Sequence, residues 1–250
     1  MTKNKAIIAV IAIVAVIGAI GGVYYLSASK TPLSGDLPAS GTILTADQKA
    51  QANSILKGVL NQADRASGSQ QAYDFAPLEN FGRSGNFGVY ISSNGERLAD
   101  ENFVQFQKTS TTESAGTSEN AVVDLNSNSV VGFNRSVPHD TLKTKTEAEL
   151  YQLATNFLKS VEPNFDQLTR GITYQTNKKA APERDDNYFF TWNDMSYKSK
   201  LPAGVEIDRE PFIQVGITSG GYIFSYDNTM RLYQDALNSE KLKEFSGNSQ

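Results

Sequence analysis

The stretch that decides the fold runs from Thr146 to Val161 and reads TEAELYQLATNFLKSV. Its apolar side chains recur every three or four residues, which places them on one face of an α-helix. They are Leu150, Leu153, Ala154, Phe157, Leu158 and Val161. Thr146 and Glu149 can form a capping box at its start, and Glu162-Pro163-Asn164 ends it. The stretch therefore predicts an amphipathic helix with one buried face.

The same spacing occurs earlier in the chain, after Thr45 and Gln48, which can form another capping box. The apolar positions there are Ala52, Ile55, Leu56, Val59, Leu60 and Ala63. Aligning Ala52 with Leu150 gives an offset of 98 residues between two patterns with the same intervals. The repetition suggests that one structural unit occurs twice.

Each helix is followed by strand and hairpin signals, such as Asn94-Gly95, a strong type I′ turn signal. Two closing hairpins also align, with Val123 matched to Val215 at an offset of 92 residues. A helix with one apolar face and a sheet with one apolar face can bury both by packing together. We therefore predict an α+β fold with two helix-on-antiparallel-sheet units, at 43–136 and 142–230. Chance similarity between two helix-then-hairpin segments is the alternative.

The second unit combines TEAEL at 146–150, NYFFTW at 187–192 and a hairpin from Phe212 to Tyr226. In these motifs it resembles a PepSY-type domain. The unit departs from the family pattern at Gly216, where the family usually has an acid. The resemblance implies a cystatin-like roll in each of two tandem copies, outside the cytoplasm. It also implies binding or inhibition of peptidases and envelope regulation, without catalysis.

The compartment is indicated by Ala6 to Leu26, 21 residues without a charge or a proline. As a helix this run would be roughly 31 Å long, the thickness of the hydrocarbon core of a bilayer. We predict a cytoplasmic tail and transmembrane anchor at 1–29, a linker at 30–42, and a C-terminal helix and tail at 231–250. A cleaved signal peptide is the alternative, since Lys3 and Lys5 precede the apolar run. Both interpretations place the remainder outside the cytoplasm.

Composition excludes several classes of function. The formal net charge of −4 and the pI near 5.2 argue against nucleic-acid binding, which needs a concentrated basic surface. The chain has no cysteine, so disulfides, thiolate metal sites and a cysteine nucleophile are excluded. The single histidine, His139, is predicted to lie in an exposed connector between the units. We expect no catalytic residue, no cofactor and no metal site.

Two groups of residues are candidates for a partner surface. Glu206, Asp208 and Glu210 alternate, so on a strand their carboxylates share one face. A charged edge strand that blocks edge pairing is the alternative explanation. Tyr188, Phe190 and Trp192 would leave the core if strand alternation buried Phe189 instead. The alternative is that these aromatic rings pack inside the protein.

A calcium loop is suggested by Asp124, Asn126 and Asn128, but Ser129 stands where such a loop needs glycine. Hairpin turn chemistry is the better interpretation of these residues.

Taken together, the sequence predicts a membrane-anchored extracytoplasmic protein that binds a protein or peptide partner, such as a peptidase, at the cell envelope. A carboxylate-dependent cell-wall hydrolase and a structural spacer in an envelope complex remain open alternatives.

Overall fold

The structure is a computed structural model that describes residues 42–69, 73–77, 80–81, 89–91, 96–98, 103–108, 119–138, 144–180, 186–201, 210–231 and 233. The apolar stretch 6–26, almost all of the linker, and most of 231–250 lie outside these residues. Among the described residues, no helix is both long and apolar enough to cross a bilayer. The prediction of an anchor therefore rests on the sequence.

Both expected helices form, with the expected caps. They are α1 (Ala46–Ser67) and α2 (Glu147–Val161), followed by the short α3 (Phe165–Leu168). Thr45 and Gln48 cap α1, Thr146 and Glu149 cap α2, and each pair makes both bonds of a capping box. Gly68 ends α1 in the left-handed conformation, with φ of 65°.

Twelve strands are described, and eight of them form one antiparallel sheet. The strands are β1 (Thr42–Ile43), β2 (Phe75–Pro77), β3 (Asn80–Phe81), β4 (Val89–Ile91), β5 (Glu96–Leu98), β6 (Phe103–Lys108), β7 (Asn120–Asp124), β8 (Ser129–Asn134), β9 (Gln175–Lys179), β10 (Asn187–Asn193), β11 (Phe212–Thr218) and β12 (Ile223–Asn228). The order in the large sheet is β2-β6-β7-β8-β12-β11-β10-β9. The α+β class is therefore confirmed.

The large sheet consists of two meanders that meet at their last strands. In each meander a helix precedes four strands that pair as antiparallel neighbours. β9 to β12 are consecutive in the chain, whereas β2 pairs with β6 across the intervening β3, β4 and β5. β8 pairs with β12, with Phe133 opposite Tyr226, so the sheet is continuous across the middle of the molecule. An unpaired last strand would expose a row of backbone donors and acceptors. The pairing removes that exposed edge from both meanders.

The helices cover one face of this sheet. α1 packs on β7, β8 and β12, α2 packs on β10 and β11, and the two helices also contact each other. The largest fully buried side chains are Phe106, Phe133, Phe157, Phe190, Leu56, Leu60, Leu150, Leu158, Ile213 and Ile217. Both helices and both meanders therefore contribute to one hydrophobic core.

The β7–β8 hairpin shows the turn chemistry expected at Asp124. The Asp124 carboxylate accepts a hydrogen bond from the backbone N–H of Asn126 at 2.9 Å and another from Oγ of Ser127 at 2.6 Å. Asn128 has a positive φ of 52°, a conformation that asparagine tolerates better than most residues. The hairpin interpretation is confirmed, because the carboxylate bonds to its own turn.

The predicted orientation of β10 is wrong. Phe190 is fully buried and Trp192 is 3% exposed, both within the hydrophobic core beneath α2 and α3. Phe189 is instead half-buried on the opposite face, where its ring lies edge-on to that of Phe224. A run of consecutive aromatic residues contains no alternation of apolar and polar side chains, so the sequence does not show which face of the strand is buried. In the structure, the face with more rings is the one that the helices cover.

Candidate functional site

A polar cavity of about 660 Å³ lies at the β9 end of the large sheet. One wall is formed by α3 and the segment that leads into β9, and the other by the turn that follows β10. Its lining residues are Asn164, Gln167, Leu168, Arg170, Gly171, Ile172, Thr173, Gln175, Asn193, Asp194, Met195, Ser196 and Lys200.

The first wall is held in place by aromatic packing behind it. Phe165 is 4% exposed, and its ring meets that of Trp192 edge-on with centroids 5.1 Å apart. Just before β9, the ring of Tyr174 stacks on that of Tyr151 with a centroid distance of 4.3 Å. Gly171 reverses the chain between these anchors with a φ of +77°, which favours glycine. The Trp192 side chain therefore supports the cavity from the core and is not part of an exposed surface.

The second wall is organised by Asp194. Its carboxylate accepts hydrogen bonds from the backbone N–H of Ser196 at 3.0 Å, from the Ser196 hydroxyl at 2.5 Å, and from Nζ of Lys200 at 2.8 Å. Burial raises the pKa of Asp194, but the hydrogen bonds from Lys200 and Ser196 outweigh it, so the pKa lies below its usual value. Asp194 is therefore ionised at neutral pH, with its charge balanced by Lys200.

Five polar side chains that line the cavity are uncommitted. The carboxamides of Asn164, Gln167, Gln175 and Asn193 and the guanidinium of Arg170 form no side-chain hydrogen bond with the described part of the chain. A carboxamide can both donate and accept hydrogen bonds, and a guanidinium donates only. The cavity therefore presents donors and acceptors that a ligand could use without breaking an internal bond.

The cavity adjoins the outer edge of β9. Gln175 lines the cavity and is also the first residue of this strand. Within the described residues, β9 pairs only with β10, and no backbone hydrogen bond joins its other edge to any of them. Gln175, Asn177 and Lys178 are exposed. A cavity and an accessible strand edge are thus continuous.

No protein-family model matches this chain, and neither a curated protein nor a solved structure matches it. The PepSY-type resemblance therefore depends on the motifs at 146–150, 187–192 and 212–226.

The six residues predicted for a partner surface do not come together as one. Phe190 and Trp192 are in the core, and Tyr188 is half-buried on the same face of β10. Glu210 forms an ion pair with Lys198 at 3.0 Å, while Glu206 and Asp208 lie outside the described residues. Over the described ranges, no three acidic or histidine side chains are grouped so as to hold a metal ion.

The cavity residues escaped the sequence analysis for a physical reason. They come from two segments, 164–175 and 193–200, and are mostly ordinary polar residues without a motif. The pairing of β9 with β10 and the packing of Phe165 on Trp192 bring the two segments together. The one sequence signal near them is Glu162-Pro163-Asn164, which indicates the end of α2 and predicts no site.

Proposed function

We propose that this chain is a membrane-anchored, extracytoplasmic binding protein of the cell envelope, and that its partner is a protein or peptide. The anchor is the apolar run from Ala6 to Leu26. The binding site is the polar cavity together with the adjoining edge of β9. Engagement of a peptidase is the more specific form of this proposal, and it comes from the PepSY-type resemblance.

The observation that carries the proposal is the set of uncommitted polar groups in the cavity. The carboxamides of Asn164, Gln167, Gln175 and Asn193 have the donor and acceptor pattern of a peptide group. The walls behind them are fixed by the packing of Phe165 on Trp192, so binding would cost little reorganisation. A preformed polar cavity beside an accessible strand edge suits an extended peptide.

The hydrolase alternative receives less support from the same geometry. Glycoside hydrolysis by paired carboxylates needs two acids on either side of the bond that is cleaved. Asp194 is the one carboxylate among the lining residues, and Lys200 and Ser196 already engage it. A spacer would not need a cavity with uncommitted donors and acceptors.

We also propose that the two meanders are copies of one cystatin-like unit. A β-bulge falls between Val122 and Val123 in β7, and another between Gly216 and Ile217 in β11. Aligning the bulges gives an offset of 94 residues instead of the 92 inferred from the sequence. The residues that the bulges leave unpaired, Val131 in β8 and Phe224 in β12, are 93 positions apart, and so are Phe133 and Tyr226, which pair at the junction.

A second correspondence supports the duplication. Asp64 lies twelve residues after Ala52, and Glu162 lies twelve after Leu150, so the helix alignment makes the two acids equivalent. Both acids are buried, with exposed fractions of 5% and 2%. Each accepts a hydrogen bond from a residue two positions beyond the junction pair, Arg135 in one case and Asn228 in the other.

The test is site-specific photo-crosslinking of the full chain in its native membrane. A photoreactive residue replaces Gln167 in the cavity, and a matched variant carries it at Lys57, which is exposed on α1. We expect a discrete protein adduct from position 167 and none from position 57. Protease added outside the membrane should degrade residues 43–230 in intact cells. Equal labelling from both positions, or protection of those residues, would refute the proposal.

A further inference from the structure

We propose that the ligand is the free C-terminal segment of a partner protein, which pairs antiparallel with β9 and places its terminal carboxylate beside Arg170. This inference rests on the proposed function and specifies the ligand for the same site. It follows from the strand edge, the direction of β9 and the charges at its two ends.

The strand edge offers the backbone contacts. β9 has five residues, Gln175 to Lys179, and its outer edge makes no backbone hydrogen bond to a described residue. At the other end of the sheet, β2 has three residues and includes Pro77, which cannot donate a ladder hydrogen bond. β9 is therefore the edge with the more complete set of donors and acceptors. Five residues span about 16 Å, enough for a ligand of similar length.

The direction of β9 determines which end of a ligand reaches the cavity. The chain runs from Gln175, in the cavity wall, towards Lys179. An antiparallel ligand runs the opposite way, so its last residue arrives at the cavity. A parallel ligand would instead bring its N-terminal amine there.

The charges in the cavity favour the antiparallel arrangement. Arg170 is exposed and has no carboxylate partner within the described chain, so its positive charge is available. The negative charge of Asp194 is already engaged by Lys200 at 2.8 Å and by the Ser196 hydroxyl. A carboxylate is attracted to an unpaired guanidinium, which can bind it through two parallel hydrogen bonds. An amine would find no unengaged carboxylate among the residues that line the cavity.

The positive charge at the far end of β9 predicts a second feature of the ligand, an acidic residue. Lys179 lies over the ring of Phe189, with Nζ 5.0 Å from the centroid, and no carboxylate pairs with it among the described residues. The Nζ of its neighbour Lys178 forms an ion pair with Oδ2 of Asp186 at 2.6 Å. If the last residue of the ligand lies opposite Gln175, the residue four positions earlier lies opposite Lys179. An aspartate or glutamate is expected at that position.

The test uses two random hexapeptide libraries, one with free C-terminal carboxylates and one with C-terminal amides, applied to the full chain in detergent. We expect the chain to enrich peptides from the first library alone, with an acid four positions before the end. Fluorescence polarisation of an enriched peptide should show about tenfold weaker binding for its amide and for R170Q, since 1.4 kcal/mol corresponds to a factor of ten. R170K should retain part of the affinity, and R65Q, on exposed Arg65 of α1, should retain all of it.

Backbone pairing is tested separately by N-methylating alternate residues of the enriched peptide. Methylation of the residues that donate to β9 should abolish binding, whereas the neighbouring positions should tolerate it. Equal enrichment of the amide library, no enrichment in either library, or unchanged binding by R170Q would overturn the inference. A photo-crosslinked adduct from position 167 in that case would leave the general binding function intact, so the two failures are distinguishable.

Discussion

Arg135 connects three elements through a single buried side chain. Its Nη1 donates to Oδ1 of Asp64 at 2.8 Å, its Nε donates to the carbonyl of Ile223 at 2.7 Å, and the guanidinium lies 5.0 Å from the centroid of the Tyr73 ring. Burial lowers the pKa of Arg135 to about 10, against the opposing effect of Asp64. Arg135 therefore remains charged at neutral pH and compensates the buried carboxylate.

We predict that R135M destabilises the protein by about 3–5 kcal/mol, because the buried Asp64 carboxylate loses the guanidinium that balances its charge. The double variant D64L/R135M should recover much of that loss, since it removes both charges. Urea denaturation followed by circular dichroism measures both free energies of unfolding. Equal losses in the single and double variants would show that the ion pair is not the cause.

Glu119 makes stability depend on pH. Its side chain is 6% exposed, accepts a hydrogen bond from the backbone N–H of Ser136 at 2.8 Å, and pairs with Lys108 at 2.9 Å. Burial raises the pKa of Glu119, but the bonds from Lys108 and Ser136 outweigh it and the pKa falls below 4.5. A lowered folded-state pKa means that the stabilisation is present above pH 4.5 and is lost as the pH falls through the folded-state value.

E119Q should therefore lower the free energy of unfolding by about 1–2 kcal/mol at pH 7. As the pH falls, the free energy of unfolding should decrease less for E119Q than for the wild type. The two stability curves should converge at low pH. K108M, which removes only the partly exposed ion pair, should give a smaller loss at pH 7. Parallel curves for E119Q and the wild type in chemical denaturation between pH 3 and pH 7 would contradict the assignment.

At the scale of single elements, the helix caps are the strongest local signals. The Thr146 hydroxyl accepts from the backbone N–H of Glu149 at 3.3 Å, and the Glu149 carboxylate accepts from the backbone N–H of Thr146 at 2.8 Å. These reciprocal bonds satisfy two backbone donors that the first turn leaves unpaired.

T146A is expected to lower the free energy of unfolding by about 1 kcal/mol, because the capping hydroxyl is lost. T45A should have a similar effect on α1, where Gln48 completes the box. T144A is the control, since Thr144 is exposed outside the cap. Thermal unfolding followed by circular dichroism measures all three, and a loss for T144A equal to that for T146A would contradict the role of the cap.

At the scale of the whole molecule, the junction between β8 and β12 makes one sheet from two meanders. β8 and β12 each cover the edge of the other by backbone pairing. Arg135 and Ser67 from the first half also form hydrogen bonds with the backbone of Ile223 in the second. Neither half is expected to keep its last strand covered when it is separated.

We predict that fragments 43–136 and 142–230, expressed separately, associate one to one when mixed. Alone, each fragment should dimerise through its own last strand or aggregate, because the unpaired backbone groups of an exposed strand edge can pair with another chain. Size-exclusion chromatography with light scattering measures the masses. A stable folded monomer of either fragment, with no association on mixing, would contradict this prediction.

Much of the architecture could be predicted because its determinants are local. The capping boxes depend on residues three apart, the helix faces on intervals of three and four, and the β7–β8 turn on the bond of Asp124 to Asn126. These contacts lie within a few residues of one another, so neighbouring side chains are sufficient to specify them.

Other features depended on contacts between segments that are far apart in the chain. Phe190 and Trp192 are buried because α2 and α3 cover that face of β10, which no alternation in an aromatic run could indicate. The continuous sheet depends on pairing Phe133 with Tyr226, and the cavity on bringing residues 164–175 beside 193–200. Local spacing in the chain specified the helices and hairpins. Long-range packing determined which strand faces are buried, which strands are neighbours and where the cavity forms. Burial depends on the assembled molecule, so it cannot be read from any single segment.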